Sequence, residues 1–523
     1  MRFYTLNWEL TVLIIYFAAM LGIGIFLFFR SKGQTDKDYF LGGRSMGPWV
    51  TAMSAQASDM SAWLLMGLPG SILAFGLGQA WIGIGLAIGT ALNWILIARR
   101  LRCFSAAAND SITLPQYLSN RFATKSKSLQ VTCAVVFLIC FTVYVASAFV
   151  AGADVFTALF PAIDRRVAML IFAAILIVYT FLGGYMAVCW TDFFQGLLML
   201  VAVLALPIVV AITTDLDFSI LNNAVELTNE AGEVTKSFSF IKNPFTADWR
   251  EIVSGLAWGL GYFGMPHILV RFMSIKKPSM VKKSAVVAIV WVVLALAAVI
   301  VIALFGRIVI GEELLLAENQ NMVFVTLARK YFHPAVAGFL LAAIIAASMS
   351  TADSQLLVAS SSFTSDIYKP LIRKKASDKE SLWIGRAVVL IIAVIAFFIA
   401  SSNGQGAKAI MSLVSNAWAG FGSAFGSVVI LSLFWRRFTY KGALAGVIAG
   451  AVTDVLWLVL CTNALDGMFG ESFSTCIWAS GIYEIIPGFI VSMLAAVIVT
   501  LMDKKPSADV TAIYDKAVSS DAE

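Results

Sequence analysis

Charge, histidine and long polar stretches are all scarce in this chain, and each shortage closes off a class of protein. Only 13% of the 523 residues are Asp, Glu, Lys or Arg, against 60% that are apolar. That balance does not suit several soluble domains and points to a polytopic membrane protein. Two histidines, His267 and His333, and six cysteines without a C-x-x-C pair leave no metal cluster of familiar spacing. The cysteines are expected as small packing residues, with Cys461 and Cys476 the one pair that an outward loop could bring together. The excess of 37 Lys+Arg over 31 Asp+Glu forms no basic, aromatic-interleaved patch, so no nucleic-acid partner is indicated. No P-loop pattern occurs and no soluble module is expected after the last apolar run. The work of the protein is therefore read as gradient-driven transport, not as an enzyme's or an ATP-driven pump's.

What is present is a succession of apolar runs. Runs long enough to cross about 30 Å at 1.5 Å per residue number about thirteen. They fall near 6–29, 46–73, 77–101, 128–158, 165–184, 186–213, 250–274, 284–311, 335–366, 383–401, 407–435, 441–462 and 481–502. The first exceeds a signal peptide's apolar region and lacks an A-x-A-like site, so it reads as a retained helix. Residues 1–505 form one transmembrane domain, followed by a short polar cytoplasmic tail over 506–523. Lys and Arg gather in alternate loops, around 30–44, 99–127, 276–283, 369–379, 436–441 and 504–505, which the positive-inside rule makes cytoplasmic. The N-terminus is then outside and the C-terminus inside a plasma membrane. The lipid bilayer is an obligatory environment; no obligatory protein partner is evident.

Two spans differ from the rest. The second, TAMSAQASDMSAWLLMGLPG, holds Asp59 between Ser58 and Ser61, and a carboxylate at the bilayer centre costs roughly 2.5–3.5 kcal/mol on insertion scales. The seventh reads SGLAWGLGYFGMPHILVRF, with glycines and Pro266 where a lipid-facing helix would carry Leu or Val. Interrupted helices in membranes are tolerated where the freed backbone is buried or lines a cavity. Each of these spans opens a set of five, over about 46–213 and 250–436. The odd number makes the two sets inverted repeats whose interrupted first helices meet at a midplane site.

The stretches DYFLGGRSMGPWVTAMSAQASDMSAWLLMGLPG, YTFLGGYMAVCWTDFFQG, WGLGYFGMPHILVRFM and MSTADSQLLVASSS resemble the sodium/solute symporter family, within it the bacterial sodium/proline symporters. The resemblance covers nearly the whole chain, in order. It implies an all-α, leucine-transporter-type 5+5 inverted-repeat core, with one extra N-terminal and two extra C-terminal helices, and uptake of L-proline with Na+ across the bacterial inner membrane. The sodium motifs are shared across the family while the substrate wall is not, so pantothenate or another amino acid is the alternative solute. A transport-dead sensor on the same scaffold is the rival of another class.

Sodium prefers hard, neutral oxygens when it must also be released. Ala347, Ser350, Thr351 and Ser354 share one face of span nine, and the resemblance maps the sodium site onto Ala57, Met60, Ala347, Ser350 and Thr351. It also implies coupling roles for Asp59, Ser61 and Asp192. Asp59 has three candidate tasks: sodium ligand, anchor for freed backbone N–H groups, or partner of a buried cation. Asp192 reads either as an acid that helps sodium leave inward or as a membrane-surface carboxylate. Trp258, Tyr262 and Pro266 recur at i, i+4 and i+8, which places them on one face of a continuous helix. In the family's proline transporters this spacing carries substrate recognition, and Trp63 and Tyr144 match positions near the substrate. Arg44 is either an inner-gate residue or an ordinary positive-inside charge. Asp353 has no assignment, and His267 reads as structural.

Overall fold

A computed structural model describes residues 2–30, 35–182, 184–229, 233–402, 406–461 and 480–522. The described chain is helical apart from turns, loops and one antiparallel hairpin, Val225–Thr228 with Val234–Phe238, in which Val225 faces Phe238. Among the described residues ten helices are long and apolar enough to cross a membrane, or eleven if the bent pair Trp249–Phe263 and Pro266–Ser274 counts as one span. Two other expected spans complete the order. One is the 18-residue helix Arg165–Leu182. The other is segment 48–75, helical in pieces because the run breaks after Asp59. Length and apolarity alone therefore do not reproduce the number thirteen.

At the centre lies the helix Pro334–Ser362, buried almost throughout from Leu340 onward. It packs against Arg2–Arg30, Ser128–Leu159, Tyr185–Thr213 and Pro48–Asp59. Its Ala and Ser side chains are small enough for neighbours to approach closely, the device that replaces hydrophobic driving force between helices in lipid. Large apolar side chains such as Ile15, Ile95, Ile212 and Phe398 are exposed along the flanks, as lipid contact requires.

Basic loops meet at one end. Arg100 Nε donates to the Leu433 carbonyl at 2.7 Å, and Arg102 Nε to that of Ile275 at 2.5 Å. Residues 506–523, expected as a tail, contain a helix, Ala508–Ala522, that docks on this end. Tyr514 packs edge-on against Phe104 at 5.3 Å, under the Arg121 guanidinium at 5.0 Å, while Arg436 forks onto Asp515. The acidic loops gather at the other end around the hairpin, where Arg307 donates to the carbonyls of Asn223 and Phe238. Arg307 and Arg329, the latter paired with Glu9 at 2.7 Å, are basic exceptions there. Cys103, Cys133 and Cys189 are buried thiols. Cys461 ends its helix, and Cys476, its proposed partner, lies outside the described residues.

The glycines of span seven are explained by close backbone approach. A Cβ on Gly85 would lie 2.3 Å from the Gly255 carbonyl oxygen, and one on Gly89 would lie 2.4 Å from Gly259 Cα. Gly261 and Gly264 are likewise pressed against Trp418 and the Phe421 carbonyl. Overpacking of such a contact costs about 1–3 kcal/mol. Gly89→Val should therefore lower the thermal unfolding midpoint of the detergent-purified protein. Gly22→Ala, where a Cβ meets nothing within 4 Å, should leave it unchanged.

Candidate functional site

The first break follows from local chemistry. Short polar side chains at 58, 59 and 61 compete for backbone groups that a helix would otherwise use. The helix Pro48–Asp59 stops, Met60 takes φ −86° and ψ 79°, and the chain turns through Ser61 N–H to the Asp59 carbonyl at 3.1 Å. The Trp63 indole N–H also donates to that carbonyl, at 3.3 Å, and Ser61 Oγ accepts from Trp63 N at 3.5 Å. Helix resumes in a widened turn at Trp63–Gly67. Span nine meets this break. Ser350 Oγ donates to the Ala57 carbonyl at 2.7 Å and lies 3.3 Å from that of Ala347, while Thr351 Oγ1 is 3.5 Å from Ala57 O. Four of the five residues expected around sodium thus present neutral oxygens to one another in a fully buried spot. Met60, the fifth, occupies the break itself, with its N–H bonded to Gln56 O at 2.9 Å. Carbonyl and hydroxyl oxygens without a fixed charge are a donor set for a hard monovalent cation.

Asp59 has a partner that none of its three expected roles included. Tyr262, from the second break, donates its phenol to Asp59 Oδ2 at 2.5 Å, and Asp59 Oδ1 accepts no hydrogen bond from the described residues. The second break runs as helix Trp249–Ala257, a tight turn Trp258–Phe263 and helix Pro266–Ser274, bent by 43°. That turn is a 3-10 helix, with about 3.0 residues per turn, so positions four apart no longer share a face. The alignment of Trp258, Tyr262 and Pro266 expected of a continuous α-helix is therefore replaced. Trp258 and Tyr262 stay together through tertiary contacts, while Pro266 opens the following half-helix.

Those contacts form an aromatic wall. Trp258 stacks on Tyr483 at 5.2 Å and on Trp418 at 6.2 Å, with Trp63 tilted against it at 6.5 Å; Tyr262 meets Trp418 edge-on at 5.0 Å. The Trp418 indole donates to the Trp258 carbonyl at 2.8 Å. Tyr144 approaches edge-on to His267 at 6.5 Å and lies beside Ser61, Trp63 and Asp59. Sequence reasoning missed Trp418 and Tyr483, which come from distant spans. Each is one aromatic residue among many in an apolar run, with no local mark.

It also missed Arg271. This guanidinium, 1% exposed, holds Asp192 Oδ2 at 3.1 Å, Ser354 Oγ at 2.5 Å, Ser54 Oγ at 3.2 Å and the His267 carbonyl at 2.8 Å. Ser54 Oγ in turn donates to Asp192 at 2.7 Å. Asp192 is accordingly no surface carboxylate but half of a fully buried ion pair, whose partner Ser354 lies one helical turn along span nine from Ser350 and Thr351. An arginine inside HILVRFM was the available signal, because a buried cation needs explaining as much as Asp59 does. Asp353 is fully buried near Asp192, and neither of its oxygens is hydrogen-bonded by the described residues.

Arg44 sits in a tight turn with φ 53°, buried at the basic end. Its Nε pairs with Asp110 at 2.7 Å, Nη1 reaches Ser105 Oγ at 3.1 Å and the Met273 carbonyl at 2.5 Å, and Nη2 the Ser111 carbonyl at 3.0 Å. It thus fastens the end of the second broken span to the 105–111 segment. Burial pulls the Asp110 carboxyl upward, but Lys37 and Arg44 beside it outweigh that effect and hold it below the usual carboxylate range.

A model of the sodium:solute symporter family matches residues 39–450. Sodium/proline symporter 2 of Staphylococcus saprophyticus is 42% identical over 515 residues, covering 98% of this chain and 96% of the relative. The sodium/proline symporter of Escherichia coli is 42% identical over 94% of this chain and 93% of its own, and an osmoregulated proline transporter of Bacillus subtilis is 41% identical over 94% of each. Among solved structures, a Na+-coupled sialic acid symporter in a substrate-bound outward-open state aligns with a TM-score of 0.71 over 96% of this chain and 99% of that one. At 19% identity this likeness is one of fold, the leucine-transporter-type fold expected above. The full-length match to family model and relatives makes this chain a member of the sodium:solute symporter family.

Proposed function

We propose that the protein takes up L-proline together with sodium across the plasma membrane by alternating access. The observation that carries this reading is the meeting of Ser350 and Thr351 with the Ala57 carbonyl at the first break, joined through Asp59 and Tyr262 to an aromatic wall. The names of the 40–42% identical relatives supply the ion and the solute.

In this reading Ala57, Met60, Ala347, Ser350 and Thr351 hold sodium, and the two hydroxyls turn from the carbonyl toward the ion. The broken helix is then pinned to span nine. Asp59 supplies negative charge close to the site without being its ligand, and Ser61 steadies the turn. Because Asp59 also accepts from Tyr262, ordering the first break orders the wall on the second. Trp258, Tyr262 and Trp63 pack the pyrrolidine ring, a task for which flat apolar surfaces with a few polar groups are suited. Tyr144 and Pro266 border the same space. Occupation of either site then favours occupation of the other, and the coupling is reciprocal. Asp192 and Arg271 form a balanced pair held to Ser354, one turn along span nine from the hydroxyls, and rearrangement of that pair accompanies inward release of sodium. Arg44 closes the inner end. The collection of basic loops at one end supports a cytoplasmic placement of that end, with the N-terminus outside and the helix Ala508–Ala522 inside.

Proline uptake into vesicles containing the purified protein should accumulate solute only with an inward sodium gradient. Accumulation without the gradient, or displacement of proline by pantothenate at equal concentration, would sink the assignment. Tyr262→Phe removes one hydrogen bond to a charged group, worth about 1.5–3 kcal/mol. It should raise the half-saturating concentrations of both sodium and proline by roughly tenfold or more. Asp59→Asn should abolish sodium-dependent uptake while membrane insertion is retained, and equal loss of both would return Asp59 to a folding role. Arg271→Met strands a buried carboxylate and should destabilise the protein by about 3–5 kcal/mol. Adding Asp192→Asn should restore much of the unfolding midpoint but not sodium-dependent uptake.

A further inference from the structure

Among the buried acids that the transport site does not use are two on neighbouring helices. Asp454 is 5% exposed and Glu484 4%, on or at the start of the helices Tyr440–Cys461 and Ile485–Met502. Ser423, in the widened turn Gly422–Gly426, donates to Asp454 Oδ1 at 3.1 Å. Gly488, one turn after Glu484, is packed so tightly that a Cβ there would lie 2.2 Å from the same Ser423 hydroxyl. Asp454 therefore touches this hydroxyl, and Glu484 stands one turn along the chain from the residue packed against it. Among the described residues no Lys, Arg or His is hydrogen-bonded or ion-paired with either acid.

Asn416 supplies an independent sign. It lies one turn before Gly420 on the same helix face, and a Cβ on Gly420 would be 3.7 Å from Asp454 Oδ2. Asn416 is 7% exposed, yet neither atom of its amide has a hydrogen-bond partner, nor has Glu484 Oε1. An amide or carboxylate left unpaired in an apolar interior is costly, and two neighbouring buried carboxylates cannot both stay ionised without a cation.

We infer that Asp454, Glu484, Ser423 and Asn416 form a second alkali-cation site, distinct from the ring at the first break. All four offer hard oxygens. That excludes the softer transition metals, and calcium, which takes roughly six to eight oxygens, would need both carboxylates bidentate together with the hydroxyl and the amide oxygen merely to reach six. A proton alone would quieten the acid pair but leave the Asn416 carbonyl unused; an alkali ion engages all four. The site stands directly behind the aromatic wall. Tyr483, the residue before Glu484, stacks on Trp258 at 5.2 Å and donates to the carbonyl of Ser415, the residue before Asn416, at 2.7 Å. An ion here fixes the wall from its outer side.

The test is binding of radiolabelled sodium, with potassium and lithium as competitors, to detergent-purified protein whose first ring is disabled by Ser350→Ala and Thr351→Ala. Saturable alkali binding should persist in that variant, and the ion should raise its unfolding midpoint. Adding Asp454→Asn and Glu484→Gln should remove both effects. Absence of saturable binding in the first variant overturns the inference by itself, whatever the folding of the second. Survival of binding after the acids are replaced also overturns it. Failure of the transport reading would show separately, as uptake by the unmutated protein that ignores the sodium gradient.

Discussion

An interrupted helix in an apolar solvent must find partners for the backbone groups it frees, and this requirement organises the molecule. At the first break the Ala57 and Asp59 carbonyls are met by Ser350, Thr351 and the Trp63 indole. Lipid offers no such partners, so the break must lie at the protein's centre, against a helix buried throughout from Leu340 to Ser362. The same requirement explains the small side chains of span nine and the glycine pairs between spans three and seven, which let backbones come close enough to serve one another. The breaks are thus a demand on packing before they are a binding site. A place where carbonyl and hydroxyl oxygens converge without fixed charge is its chemical by-product.

The charges buried near the breaks obey a second rule. Arg271 and Asp192 are both removed from water, and the cost of that is offset only by close geometry and by hydrogen bonds to their remaining atoms. The structure supplies Ser54, Ser354 and the His267 carbonyl for the purpose. Arg44 solves the same problem at the basic end with one acid, two backbone carbonyls and a serine. Such arrangements are rigid while complete, so a change in one partner is felt by every element that contributes to it.

How much of this could be read from the residues depended on whether the signal was local. Asp59, the glycines around Trp258 and the i, i+3, i+4 run Ala347, Ser350, Thr351 are anomalies within a single apolar span; the first two mark places where the chain leaves plain α-helix, and the third marks where a continuous helix meets the first break. The relation between them was harder. The Tyr262 phenol crosses 203 positions to reach Asp59, and Trp418 crosses 160 to reach the Trp258 carbonyl; periodicity within one helix says nothing about either. Arg271 was hidden for a different reason, since an arginine near the end of an apolar run looks like any positive-inside residue. The face assigned to Trp258, Tyr262 and Pro266 assumed 3.6 residues per turn, and the chain adopts a tighter turn at that point. Residues 506–523 looked like a tail because a polar helix that docks through one tyrosine and a few ion pairs has no apolar run to announce it.

That docked helix has a consequence for how the molecule is made. Arg100 and Asp521 are 421 positions apart, and the Arg121 guanidinium donates to the Val510 carbonyl across 389. Contacts of such long sequence separation form late, and during synthesis the N-terminal parts of a chain fold first. The basic end of the third span must therefore wait, with Arg100 and Arg121 lacking these partners, until nearly four hundred further residues have been inserted. Assembly of this transporter closes from its far end back onto its beginning, and a nascent chain halted before Ala508 would carry that basic surface open to whatever binds it.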